Sequence, residues 1–539
     1  MMHRPLRIAD ILTLAEDTHG AAEVVSSTVE GGLHRYTYKD MAVRCRKLAN
    51  ALAGIGVRHG DRIATLAWNG YRHLELYYAV SCMGAVCHTI NPRLSAEQMI
   101  YITNHAEDSL LCVDLTFVPL VEKLAAQFPQ MTYVILTNAA HMPQTGLPNV
   151  HCYEDLLAAQ TDAYDWPDFP EETAASLCYT SGTTGHPKGA LFSHRSIVLH
   201  ALIVGVSMQN SMRSDRRLLP VVPLFHANAW GMAHSAPLTG AALIMPGPGL
   251  DGASVFDLME AEQVFGAWGV PTVWLGLMAE IKKRGRLPKG FGEVVIGGSA
   301  APTSMIKGFE DMGVNVVHAW GMTEMSPVGT TGVLSPGQDS LPGPDRIALK
   351  SRQGRRVFGV DLKIVDEAGN RLPQDGTATG ELYVRGNTIV SGYFNNPQAS
   401  AAALDAEGWF GTGDVASIDP DGFLTITDRA KDLIKSGGEW ISSIDVENIA
   451  MSHPGIANCA VIAVPHPKWD ERPVLIAVPA EGAPPDRADV LAHLAQHLAK
   501  WQLPDDIVFV EALPLTATGK VSKLTLRQSY ADHSLPAAE

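Results

Sequence analysis

The sequence predicts an α/β fold: a large N-terminal domain of covered β-sheets with a β-rich subdomain, then a small α+β C-terminal domain. Three observations carry that prediction. Short β-branched runs alternate with helix-length amphipathic segments as far as about residue 345, the pattern of parallel strands covered on both faces. After about residue 345 hairpin-like strands with D-x-x-G turns take over. From about residue 431 a further small α/β segment follows.

The elements follow in order. "DRIATLAW" (61–68) reads as a strand, "YRHLELYYAVSCMGA" (71–85) as a helix and "VCHTINP" (86–92) as the next strand. "YVILTN", "ALIMPG", "FGAWGVPTV" and "EVVIGGSA" continue the strand pattern. "GVDLKIVDEAGNRL" (359–372), "GELYVRG" (380–386) and "GFLTITDRAKDLI" (422–434) are the hairpin strands. "NCAVIAVP", "ERPVLIAVPAEG" and the helix "RADVLAHLAQHLAKW" (487–501) belong to the last segment. The predicted units are residues 1–430, with the β-rich part over about 345–430, and residues 431–539. The tail "SYADHSLPAAE" reads as frayed.

The chain has 539 residues, enough for roughly three to four units of ordinary domain size. Apolar residues make up 46% and charged residues 18%, an ordinary globular balance. A net charge of -16 without a basic block argues against phosphate-backbone binding. No apolar run approaches the ~20 residues of a membrane span. The first twenty residues carry Asp10 and Glu16 inside their only apolar stretch and lack a secretory pattern. Seven scattered cysteines form no C-x-x-C pair, which reads as reduced, buried thiols of a cytoplasmic protein.

Chemistry concentrates in a few segments. "YTSGTTGHPKGA" (179–190) fails the nucleotide-loop spacing G-x-x-x-x-G-K-[ST], because Pro187 stands at the sixth position from Gly182 and Gly189 follows Lys188. Its glycines, hydroxyls and lysine still have the physics of an anion site, although taken alone it fits a plain turn equally well. "PLFHANAWG" places His226 and Trp230 one helical turn apart, and "GGSAAP" is a small-residue turn after an apolar strand. "HAWGMTEMSP" sets Thr323 and Glu324 beside an aromatic. "WFGTGD" puts Asp414 in a turn, "DRAKDLIKSGGEWIS" holds Arg429, Lys431 and Lys435, and "LPLTATGKVSK" carries Lys520. Each alone has a plainer reading, as turn residue, core residue or solvated charge.

Taken together and in this order, these segments resemble the adenylate-forming superfamily, the acyl-CoA synthetases in particular, over about residues 10–530. The likeness is greatest to fatty-acyl-CoA synthetases and bacterial 3-methylmercaptopropionyl-CoA ligases. It implies two half-reactions, in which ATP converts a carboxylic acid to an acyl-adenylate and coenzyme A then displaces AMP. The implied acid is 3-(methylthio)propanoate or a short- to medium-chain fatty acid. A medium- or long-chain acid, or an enzyme that loads a carrier protein, is the alternative.

The resemblance also implies roles. Thr180, Ser181, Gly182, Thr183, Thr184, Gly185 and Lys188 hold the β- and γ-phosphates, with Mg²⁺ on Thr180 and Glu324. Gly298, Ser299 and Ala300 line the adenine and Trp320 stacks on it, where many relatives have Tyr; Gly321, Met322 and Thr323 continue that wall. Asp414 accepts from the ribose hydroxyls, Arg429 backs it, and Lys435 is a further nucleotide contact. Lys520 bridges carboxylate and α-phosphate, and Glu324 and His226 complete the catalytic set. His226, Trp230, Gly298, Met325 and Pro327 line the acyl pocket, with Trp230 as its gate. The C-terminal domain is mobile about Lys431, bringing Gly437, Gly438, Glu439 and Trp440 in as the coenzyme A channel. The implied assembly is a homodimer.

A carrier-loading domain or a luciferase-like oxidase, a nucleotide-binding regulator and a kinase are the competing readings. The regulator predicts loss of Lys520 or Glu324, and both are present. The kinase is disfavoured by the failed nucleotide-loop spacing.

Overall fold

A computed structural model describes residues 1–180, 186–437, 439–480, 482, 485–516, 519–531, 533 and 535. Its core is two mixed sheets with helices between and around them. In one, seven strands run Val150–Cys152, Thr132–Ile135, Leu110–Val113, Arg62–Leu66, Val86–Thr89, Ala174–Tyr179 and Gly189–Ser193 across the sheet. All neighbours are parallel except the last pair, which is an antiparallel hairpin around the 179–190 stretch. The helix Tyr71–Cys82 is buried along its whole length. A helix packed on every side needs no polar stripe, and this one has little of the amphipathic period.

The second sheet has thirteen strands among the described residues. Its middle strands Arg217–Pro220, Gly266–Gly269, Glu293–Ile296 and Asn315–Gly321 are parallel and fully or mostly buried. From Val328–Thr331 onward the partners turn antiparallel, and the hairpin strands of residues 354–429 extend the same sheet. Asp414 is not in a turn: it sits inside the strand Phe410–Ile418, opposite Arg429 on Phe423–Arg429. Inward-facing Phe410, Thr412, Ala416 and Ile418 give that strand an alternating burial pattern that outweighs the two glycines around Thr412.

A third sheet of five strands starts at Ile434–Ser436 and is built on the long hairpin Ile456–His466 and Asp470–Pro479. It has its own apolar core, around Val461, Leu475, Val490 and Ile507. The helix expected over 487–501 spans only Arg487–Leu494. Leu498 and Leu503 pack back on this core, so the chain turns there rather than continuing outward. Among the described residues no helix is long and apolar enough to cross a membrane. All seven cysteines are free and buried.

Candidate active site

Four parallel strands of the large sheet end on one side, and the loops leaving them wall a cavity of about 580 Å³. This is where open parallel sheets place ligands, outside the carboxyl ends of their strands. Pro223–Trp230 follows the first strand, Pro271 and Thr272 the second, Gly297–Ala300 the third and Met322–Pro327 the fourth. Thr180 and Lys188 enter from the smaller sheet, and Lys431, Lys520 and Lys523 close the cavity from the C-terminal side. Ser181, Gly182, Thr183, Thr184, Gly185 and Gly438 lie outside the described residues.

Asp414 is a buried acid of the cavity, 3% exposed. Arg429 Nε lies 2.8 Å from its Oδ1, and the Trp320 indole Nε1–H donates to its Oδ2 at 2.9 Å. Burial pushes the Asp414 carboxyl above its ordinary pKa, while Arg429, the Trp320 bond and Lys520 pull it back. The sequence assigns Trp320 a stacking face; the structure adds a hydrogen bond to the same side chain.

Lys520 is seated opposite. Thr272 Oγ1 donates to the Gly519 carbonyl at 3.0 Å, and Lys520 N–H donates to Thr516 Oγ1 at 3.1 Å. Lys520 Cε lies 3.4 Å from where a Cβ on Gly298 would sit. Burial and then the Arg429 charge push the ammonium down to about 8, against Asp414 and Glu324, which pull it up. Burial, with Lys520 close by, drops His226 to about 3, so its imidazole is neutral near pH 7.

Glu324 is buried on the wall, and its Oε1 accepts from Tyr393 O–H at 2.7 Å. Its second oxygen takes no hydrogen bond from the described residues. Lys188 Nζ lies 4.9 Å from the Tyr393 ring centroid. The Thr180 hydroxyl accepts from Lys188 N–H at 3.4 Å. Thr180 and Glu324 therefore offer oxygen donors only, a set that suits Mg²⁺, which retains water and phosphate ligands. No cluster of three or more His, Cys, Asp or Glu able to hold a metal occurs among the described residues.

On the acyl side His226 and Trp230 both line the cavity, but not on one face of a right-handed helix. Ala227, Asn228, Ala229 and Trp230 all have positive φ, from 44° to 57°, which makes a left-handed turn. Each such non-glycine residue costs about 1–2 kcal/mol. The benzo edge of Trp230 lies 3.3–3.4 Å from Cβ positions on Gly297 and Gly298, so it packs against that glycine pair. Pro327 is on the wall, whereas Met325 is fully buried in the core behind it.

Lys435, Gly437, Glu439 and Trp440 stand apart from the cavity. Lys435 is exposed, with its ammonium 5.8 Å from the ring of Trp440, its partner across the antiparallel pair Ile434–Ser436 and Glu439–Ile441. Sequence reading assigned no role to Thr272 and Tyr393, nor to Asp428 and Lys523, which open and end the quoted segments "DRAKDLIKSGGEWIS" and "LPLTATGKVSK"; the three-dimensional pairing brings all four to the cavity.

The family model for the AMP-binding enzyme matches residues 14–394, and that for the AMP-binding enzyme C-terminal domain matches residues 445–520. The chain belongs to the AMP-binding enzyme family. This AMP-binding enzyme is 48% identical over 536 residues to the 3-methylmercaptopropionyl-CoA ligase of Ruegeria pomeroyi, covering 99% of the chain and 98% of the relative. It is 47% identical over 534 residues to the medium-chain-fatty-acid–CoA ligase of Ectopseudomonas oleovorans, covering 99% and 97%. Among solved structures, the anthranilate CoA ligase AuaEII in complex with anthranoyl-AMP superposes with a TM-score of 0.86 at 25% identity, covering 98% of both chains.

Proposed function

We propose that this AMP-binding enzyme joins a short carboxylic acid, with 3-(methylthio)propanoate the best candidate, to coenzyme A. The enzyme is an AMP-forming acid–CoA ligase. A carboxylate oxygen attacks the α-phosphorus of ATP and pyrophosphate leaves; the thiol sulfur of coenzyme A then attacks the acyl carbon, AMP leaves and the thiol proton is lost. The first step gathers negative charge, so positioned cations and donors carry it.

In this reading Asp414 and Arg429 hold the ribose, Trp320 and Gly298–Ala300 hold the adenine, and Lys188 with residues 180–185 holds the outgoing phosphates. Lys520 faces the α-phosphate and acid carboxylate as a point charge. Neutral His226 serves as a hydrogen-bonding wall residue, not a cation. Mg²⁺ on Glu324 and Thr180 would supply neutralisation of phosphate charge. Lys435, Gly437, Gly438, Glu439 and Trp440 act only after the C-terminal domain, residues 431–539, turns about Lys431 relative to residues 1–430. A homodimer through the N-terminal domain and a cytoplasmic location complete the reading; the buried free thiols support a reducing compartment.

One observation favours a short acid: Trp230, 7% exposed, closes the cavity against Gly297 and Gly298. The test is AMP release with ATP, Mg²⁺ and coenzyme A over acetate, butyrate, octanoate, palmitate, benzoate and 3-(methylthio)propanoate. The highest kcat/KM for the thioether acid or butyrate is expected. A maximum at octanoate or palmitate would replace the short-acid reading with a tunnel that opens past Trp230, and ADP in place of AMP would end the ligase reading.

A further inference from the structure

Trp320 is fixed more tightly than a stacking surface needs to be. On one edge, its Cζ3 lies 2.9 Å from where a Cβ on Gly329 would sit, so the indole rests directly on that glycine. On the other edge, its N–H reaches Asp414 Oδ2 from a strand 94 residues earlier in the chain. Asp414 Oδ1 is held by Arg429, a side chain that is 43% exposed.

A carboxylate has about four acceptor positions, two on each oxygen. Here one on each oxygen is already filled, by Arg429 on Oδ1 and Trp320 on Oδ2. One position per oxygen remains, which matches a vicinal diol that donates once to each. The terminal torsion of an aspartate is otherwise broad, and Arg429 alone leaves the carboxylate free to pivot about Oδ1. The second anchor sets the carboxylate plane.

We propose that Trp320 is a positioning residue for the nucleotide sugar: through its indole N–H it fixes Asp414 so that both oxygens meet the 2′- and 3′-hydroxyls, and it sets the preference for ribonucleotide over deoxyribonucleotide. This rests on the reading that ATP binds with its ribose at Asp414. A tyrosine at this position would offer a stacking face without a donor at the indole N–H site.

The test compares wild type with Trp320→Phe, which keeps the ring face and deletes the N–H. Adenylation is followed by pyrophosphate release with ATP, 2′-deoxy-ATP and 3′-deoxy-ATP. Wild type prefers ATP. Trp320→Phe loses about tenfold in kcat/KM with ATP, the size of a lost hydrogen bond to a charged group, and far less with the deoxy analogues. The ATP to deoxy-ATP ratio therefore falls by about tenfold. That ratio is taken on a single preparation, so any misfolded fraction cancels. Equal loss with all three nucleotides, or no loss, overturns the proposal and leaves Trp320 as a stacking surface. A wild type that does not distinguish ATP from its deoxy analogues overturns the ribose placement itself.

Discussion

Lys520 Cε stands 3.4 Å from the point where a Cβ would project from Gly298. Gly298 has φ +80°, so a side chain there meets backbone strain as well as crowding. The same Cβ would lie 3.1 Å from Val270 Cγ1 and 3.4 Å from Trp230 Cζ2. Gly298→Ala is thus expected to lower the melting temperature, through strain of about 1–2 kcal/mol. It is also expected to cut adenylation kcat/KM by about tenfold or more, since relief of the strain and of the 3.1 Å approach to Val270 shifts the Gly298 backbone that packs beside Lys520. Melting by circular dichroism and pyrophosphate release check both effects; unchanged adenylation would show that Lys520 does not rely on the bare backbone at Gly298.

In the role proposed for Lys520, its ammonium, pushed down to about 8, is expected to give the adenylation step an alkaline limb. Only the protonated form neutralises phosphate charge, so kcat/KM falls as pH rises through about 8, the free-enzyme value. Bound triphosphate favours the ammonium, so the limb in kcat lies at higher pH than the limb in kcat/KM. Arg429 is the second cause of the shift, after burial. Removing that like charge in Arg429→Gln raises the Lys520 pKa and moves the limb to higher pH. Pyrophosphate release between pH 6 and 10 reads all three; a limb in Arg429→Gln at lower pH than in wild type contradicts the assignment.

Much of the fold was legible in the sequence because strands buried on both faces must read as apolar runs. "EVVIGGSA" and "ALIMPG" became the buried strands Glu293–Ile296 and Ala242–Met245. Local motifs also named key polar and charged residues of the cavity wall, among them Glu324, Asp414, Arg429 and Lys520. Long-range geometry was not legible. The Asp414–Arg429 pair depends on cross-strand register, and the Trp320–Asp414 bond on a sheet order in which the chain returns after 94 residues. The spacing of His226 and Trp230 suggested a right-handed helical turn, whereas the backbone winds the other way. No residue pattern announces a left-handed turn of Ala, Asn, Ala and Trp, because its cost is offset by packing elsewhere.

Hydrogen bonds across Lys431 hold the C-terminal domain in the arrangement that seats Lys520. Thr272 Oγ1 donates to the Gly519 carbonyl at 3.0 Å, and Ser442 Oγ donates to the Thr427 carbonyl at 2.7 Å. Asp428 accepts from Ser443 N–H at 2.7 Å and from its hydroxyl, and Lys523 joins Ser443 to Glu447. The proposed turn of the C-terminal domain about Lys431 would break the Thr272 and Ser442 bonds, so in that reading they stabilise the adenylation arrangement alone. Thr272→Val keeps the side-chain shape and deletes one of them, worth about 1 kcal/mol or roughly fivefold. Adenylation from ATP should slow by that factor, while thioester formation from supplied acyl-AMP stays level or quickens. Ser442→Ala should act in the same direction, and the double variant should add the two losses, because the sites share no partner. Equal slowing of both half-reactions would mean that these bonds support the fold as a whole rather than one of two proposed arrangements.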